Sequence, residues 1–199
     1  MIQRYDGDVL LSDLEALAAP QRRAFAAACA EALLRHFGSA WAASESAGST
    51  ECEQVVAFCW RAVERGAGDP ESSEIVDLFL TGLEEILSED EEGDLGVMEH
   101  VIAGAYYALK CSREGDSGNA ELVAKNLYEA ADYVALADPE IDMASPNAGS
   151  AIIASEVVQK TLAVIAGIRD LVIARTFQGS DQSVEISQVR GFARQGLDG

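Results

Sequence analysis

Basic residues are scarce in this chain: 14 Lys and Arg stand against 34 Asp and Glu in 199 residues, a formal net charge of −20. Such a balance repels nucleic acid and anionic membrane, and the expected partners include neither. Histidine is scarcer still, with only His36 and His100, and neither has a Glu three residues before it. The Glu-x-x-His pairs of a di-iron bundle are therefore missing. The four cysteines, Cys29, Cys52, Cys59 and Cys111, form no CxxC, so no zinc pattern exists. Cys52 and Cys59 stand one heptad apart, ~10 Å along a helix axis, which is beyond disulfide reach. All four are expected to be buried thiols. No glycine-rich phosphate loop is present, and no cofactor is expected.

The chain also lacks a long clean apolar run. Its richest stretch, Ala151 to Phe177, is interrupted by Glu156, Lys160, Arg169 and Asp170, which reads as a buried helix and not a membrane span. The first residues carry Asp6 and Asp8 and no basic segment followed by an apolar one, so a cytoplasmic location is expected. No Pro/Gly/Ser-rich linker divides the sequence, which predicts one domain over 1–199, with its core at about 12–177 and a tail at 178–199.

What is present is apolar and periodic. Nearly half the residues are hydrophobic, enough for a substantial core. Start and stop signals predict about seven helices. A short first helix follows Ser12. The second opens at Pro20 and carries Phe25, Cys29, Leu33 and Phe37 as an i, i+4 stripe. Thr50 and Glu53 read as a capping box for a third, with Val56, Trp60 and Val63 inside and Gly66-Ala67-Gly68 at its end. Asp69-Pro70 opens a fourth, with Ile75, Phe79, Leu83 and Ile86 or Leu87 facing inward. Asp94 caps a fifth over Leu95 to Leu109, where Gly104 admits a close neighbour.

Ser117 and Gly118-Asn119 lead into a sixth helix with Leu122, Leu127, Ala131 and Val134 buried, closed at Asp138-Pro139. A seventh helix runs from about Ser150 to Phe177, and beyond it only a short amphipathic piece through Val184, Ile186 and Val189 is expected. No strand-like alternation intervenes. The predicted fold is an all-α, single-domain helical bundle with two central apolar helices, the fifth among them.

Several constellations weigh against catalysis. All-α Mg²⁺-dependent nucleotide phosphohydrolases use an EExxE helix and a later ExxD helix. Here Glu89 stands one residue too far from Glu84-Glu85, although Glu129 and Asp132 supply the second motif. Cys111 and His100 lie ~16 Å apart along one helix and make no dyad. Tyr106, Tyr107, Tyr128 and Tyr133 are candidates to line a space between the fifth and sixth helices.

The motifs Phe25-Ala-Ala-Ala-Cys29-Ala-Glu31-Ala-Leu33, Cys59-Trp60, Leu83-Glu84-Glu85 and Ala105 to Leu109 follow one another in a set order. Together they resemble the YjaG-like family of small all-helical bacterial proteins, a domain of unknown function. The resemblance implies an all-helical fold and transfers no activity and no catalytic residue.

Charge patterning gives the functional expectation. Between Arg65 and Lys110 there is no Lys or Arg, while Asp69, Glu71, Glu74, Asp77, Glu84, Glu85, Glu89, Asp90, Glu91, Glu92, Asp94 and Glu99 are acidic. From Ser150 to Gly199 five acids balance five bases. A one-sided negative field suits a non-enzymatic module that captures a basic protein, in concrete form an immunity-type protein neutralising a basic toxin. The expected partner-binding residues are Glu84, Glu85, Glu89, Asp90, Glu91, Glu92 and Asp94. The alternative is a Mg²⁺-dependent phosphohydrolase.

Overall fold

A computed structural model of the chain describes residues 2–38, 48–65, 71–89 and 95–196. Among these residues there is no strand, and the helices run in the order α1 (Gly7–Glu15), α2 (Ala19–Phe37), α3 (Gly48–Arg65), α4 (Glu71–Glu89), α5 (Val97–Glu114), α6 (Ser117–Leu136), α7 (Ala148–Ala154), α8 (Glu156–Ile173) and α9 (Gln182–Gln195). One hydrophobic cluster draws residues from all nine.

The axis of the bundle is α2. Every residue from Ala24 to Leu33 is buried, and α3, α5, α6, α8 and α9 all pack on it. Alanine makes this geometry feasible, because its single methyl lets neighbouring helices come close while keeping the highest helix propensity. The expected stripe of Phe25, Cys29, Leu33 and Phe37 is buried as a whole. The second central helix is α5, flanked by α2, α3, α4 and α6. Gly104 is the point of closest approach: a Cβ there would lie 2.3 Å from Leu33 Cδ2.

Helix ends are closed partly by local caps and partly by side chains from distant helices. Asp6 accepts from the Val9 amide at 3.1 Å and Asp116 from the Asn119 amide at 2.8 Å. Gly115, at φ 66°, closes α5 in the left-handed conformation that glycine adopts freely. Orphan carbonyls are met across the bundle. Arg23 Nε donates to Ser112 O at 2.9 Å, Gln182 Nε2 to Val63 O at 2.9 Å, and Gln21 Nε2 to Val172 O and Arg175 O at 3.0 and 2.8 Å.

Several expectations need correction. The first helix starts at Gly7 with Asp6 as its cap, so Ser12 lies inside it. The third already includes Thr50, having begun at Gly48. Ile75 and Val134 point outward and are 44% and 40% exposed, while Val76 and Leu80 take the inner positions of α4.

The single long helix expected from Ser150 to Phe177 is two, α7 and α8, bent by 51° at Ser155. Ser155 leaves helical geometry at ψ 150° and accepts from the Val158 amide, capping α8. That break and the C-terminal helix take the described helices to nine, against the seven expected. No single described helix is long and apolar enough to cross a membrane. The chain turns at Phe177, buried with φ 53° and its amide donating to Glu185 at 2.7 Å, and α9 then lays Ile186, Val189 and Ala193 into the core. Gly66 to Gly68, Asp69, Pro70 and Asp94 lie outside the described residues.

Gly104→Ala tests the close approach. The substitution gains helix propensity of ~1 kcal/mol but forces Leu33, which is fully buried, to move at a cost of about 1–3 kcal/mol. A net loss of roughly 0–2 kcal/mol is expected in urea unfolding. A variant more stable than the natural chain would show that the two helices do not meet there.

Candidate functional site

The outer helix α4 carries the acidic face. Its packed neighbours are α5 and, over a shorter contact, α3, and it turns Val76, Leu80 and Leu83 inward. The opposite side exposes Glu74, Asp77, Glu84 and Glu85. Asp77 pairs with Arg113 of α5 at 3.0 Å, an exposed pair of small energetic consequence. Glu84 Oε1 accepts the Tyr106 hydroxyl. That hydrogen bond, followed by burial, pushes the Tyr106 phenol up to about 12. Among the described residues no ion pair reaches Glu74, Glu84 or Glu85. Of the expected binding residues, then, Glu84 and Glu85 share the exposed face. Glu89 ends α4 with its side chain outside the description, and Asp90, Glu91, Glu92 and Asp94 lie outside the described residues altogether.

A second polar cluster is built into the interior, where Glu31 is 6% exposed in the middle of α2. Its Oε2 accepts from Trp60 Nε1 and from Arg190 Nε at 2.9 Å, and its Oε1 accepts from Arg194 Nε at 2.6 Å. The Arg190 guanidinium also sits 5.6 Å from the centroid of the Trp60 ring. A buried carboxylate is tolerable only when paired and fully hydrogen-bonded, and three donors on two other helices meet that requirement. The sequence held a signal for it: one acid inside an apolar decade of α2 demands a buried partner, and Arg190 and Arg194 stand four apart on one helix face.

The other candidate residues do not form a reaction centre. All four cysteines are buried free thiols, and burial pushes Cys52 and Cys111 up to about 12 and Cys29 and Cys59 higher. The four tyrosines do not converge, since Tyr128 stacks on Tyr5, Tyr133 meets His100 edge-on and Tyr106 meets Tyr107. His100 Nδ1 lies 3.8 Å from Glu129 of α6. Among the described residues no three His, Cys, Asp or Glu side chains gather to hold a metal ion, and α5 stands between the helix of Glu84-Glu85 and the helix of Glu129 and Asp132. An open cleft of about 740 Å³ is lined by His36, Asp138, Ser155, Glu156 and Lys160 among apolar residues, and Lys160 there pairs with Glu156 at 3.0 Å.

Fold and site together define an all-α bundle with an internally locked carboxylate and an acidic outer helix. No family model and no curated protein matches the chain. Among solved structures it is similar to a DUF416 family protein from Shewanella baltica OS155, at TM-score 0.70 over 94% of this chain and 93% of that one, with 13% sequence identity. That likeness is one of fold.

Two measurements test these clusters. Glu31→Gln leaves Arg190 and Arg194 without a counter-charge, but both are partly exposed and regain water, so the loss falls short of the ~3–5 kcal/mol of a fully buried broken pair. About 2 kcal/mol is expected in denaturant unfolding, with changed Trp60 fluorescence. An unchanged midpoint would mean that the cluster contributes nothing net.

At Tyr106 the folded state holds its phenolic proton more tightly than the unfolded chain. The stability it contributes is complete below the ordinary tyrosine pKa of about 10 and is lost as the pH rises through about 12. In an ultraviolet titration, Glu84→Gln is expected to bring the Tyr106 transition, assigned by difference from Tyr106→Phe, down toward the ordinary value. No movement would show that Glu84 does not hold the hydroxyl.

Proposed function

We propose that the chain is a non-enzymatic binding module that captures a basic protein through the acidic face of α4 and the acidic residues that follow it. The observation that carries this reading is the row of exposed carboxylates Glu74, Asp77, Glu84 and Glu85 on a peripheral helix, in an interval with no Lys or Arg between Arg65 and Lys110. Opposite fields accelerate the encounter of two proteins and reject like-charged competitors. The role in its concrete form is that of an immunity-type protein that neutralises a basic toxin in the cytoplasm, where rapid capture matters.

We further propose kinship with the YjaG-like family. In support, the motifs of the resemblance touch one another: Glu31 of the first accepts from Trp60 of the second, and Glu84 of the third from Tyr106 of the fourth. They are packing motifs held together by contact.

The test replaces Glu84, Glu85, Glu89, Asp90, Glu91, Glu92 and Asp94 with Gln or Asn. The natural chain is used to isolate its partner from the source lysate, and association kinetics are then compared at two salt concentrations. Removing the charges is expected to slow association about tenfold or more and to flatten its salt dependence, since screening acts beyond ~8 Å at physiological ionic strength. Circular dichroism should remain helical. Equal rates and equal salt slopes for the two proteins would end this reading.

A further inference from the structure

The inner face of α4 is complete without two of its largest apolar residues. Val76, Leu80 and Leu83 are buried and Phe79, Ile86 and Leu87 pack partly against the core, yet Ile75 is 44% and Leu78 73% exposed. These two and Gly82 are spaced i, i+3, i+7 and so form one stripe along the helix. Gly82, like Gly191 of α9, lies in a helix interior without crowding. A glycine in a helix interior weakens it relative to alanine, and internal crowding is the common justification. Gly104 and Gly167 have that justification, with Cβ positions 2.3 Å from Leu33 and 2.4 Å from Phe192. A Cβ at Gly82 would meet nothing within 4 Å. It leaves a shallow notch beside Ile75 and Leu78 that no described part of the chain fills.

The chemistry bordering the stripe limits what fits it. Glu74, Asp77, Glu84 and Glu85 run alongside, with Thr81 and Ser88 between them, all exposed. A second copy of this face would set carboxylates against carboxylates, and an anionic lipid surface would meet the same repulsion. An α-helix with an apolar ridge and a flank of Lys or Arg satisfies both halves at once, with the ridge in the notch and the cations over the acidic row. We propose that the outer face of α4 docks a cationic amphipathic helix of a partner protein, with Ile75 and Leu78 as the apolar anchors and Gly82 admitting the ridge. This rests on the binding reading above and narrows its partner to one that presents such a helix.

A synthetic 18-residue Leu/Lys amphipathic helix serves as the probe, with a Leu/Glu helix of the same pattern as control, and binding to the full chain is followed by fluorescence anisotropy. The Leu/Lys helix is expected to bind and the Leu/Glu helix not. Leu78→Ser and Gly82→Leu should each weaken binding about tenfold or more, a loss of ~1.4 kcal/mol. Met143→Ser, which removes an exposed apolar side chain elsewhere, should leave affinity unchanged. Gly82→Ala, whose methyl has open space, should raise the melting temperature while weakening the probe, separating the use of this glycine in docking from any need for it in folding.

The proposal falls if the natural chain does not bind the Leu/Lys helix, if the Leu/Glu helix binds as tightly, or if Leu78→Ser and Gly82→Leu bind like the natural chain. It also falls if Leu78→Ser abolishes a self-association seen by sedimentation while the probe does not bind. Should Leu78→Ser capture the basic partner at the natural rate while the charge-neutralised protein does not, the docking stripe is refuted and the acidic-face reading survives.

Discussion

The bundle is organised around a carboxylate buried among apolar residues. Glu31 lies within ten consecutive buried residues of α2, and stripping an ion of its hydration costs several kcal/mol unless partners replace it. Those partners come from two other helices, Trp60 on α3 and Arg190 and Arg194 on α9. Meeting all three donors at once constrains how the three helices sit against one another. Sliding α9 by a residue would swing both guanidinium groups about 100° around its axis and leave the acid unpaired. The apolar contribution of α9 is thin, with Ile186, Val189 and Ala193 its buried residues, so the ion pairs supply the register that so few contacts cannot. Geometry, more than net energy, is what a buried pair of this kind contributes.

The same logic closes the helix ends. Alanine-rich α2 draws its neighbours close but offers few large side chains to fix their rotation, and long polar residues take over that task. Arg23, Gln21 and Gln182 each reach from one helix to the terminal carbonyls of another, satisfying orphan acceptors and joining α2 to α5, α2 to α8, and the start of α9 to α3. None of these ties reaches α4. It is held by one apolar face against α5 and α3 and, at the edge, by Asp77 with Arg113 and Glu84 with Tyr106, and its outer side is left to solvent.

Much of this was readable beforehand where local chemistry and tertiary packing agree. Pro20 opens α2 and Gly104 receives Leu33, because a first-turn proline and a contact-point glycine each have a steric cause visible in sequence. Reading failed where one local signal had two outcomes. Ser155 follows the apolar Ala151 to Ala154 with no Pro or Gly beside it to mark a break, and a serine there serves equally as an interior residue or as a cap. Ile75 and Val76 are adjacent and both apolar, so the phase of α4 was ambiguous by one position, and choosing Ile75 concealed the outward stripe. The acidic face came from composition alone. The Glu31 cluster needed tertiary contact, since its arginines lie more than 150 residues away.

The negative field of α4 follows from the topology as well as from the excess of acid. Every base in the last fifty residues is engaged locally or internally: Lys160 with Glu156, Arg169 with Asp13 and Asp170, Arg175 with Leu171 O and Gln188, and Arg190 and Arg194 with Glu31. All but Arg175 neutralise acids, which lie on α1, α2 and α8. For Arg190 and Arg194 the placement is set by the lock, because Glu31 holds α9 against α2 while α4 packs on α5. Coulomb interaction between exposed groups decays within a Debye length of ~8 Å, and a helix diameter alone is about 10–12 Å, so cations held beyond an intervening helix cannot cancel the outer carboxylates. Arg113 beside Asp77 offsets part of the row in place, and the exposed Glu74, Glu84 and Glu85 leave the outer face acidic.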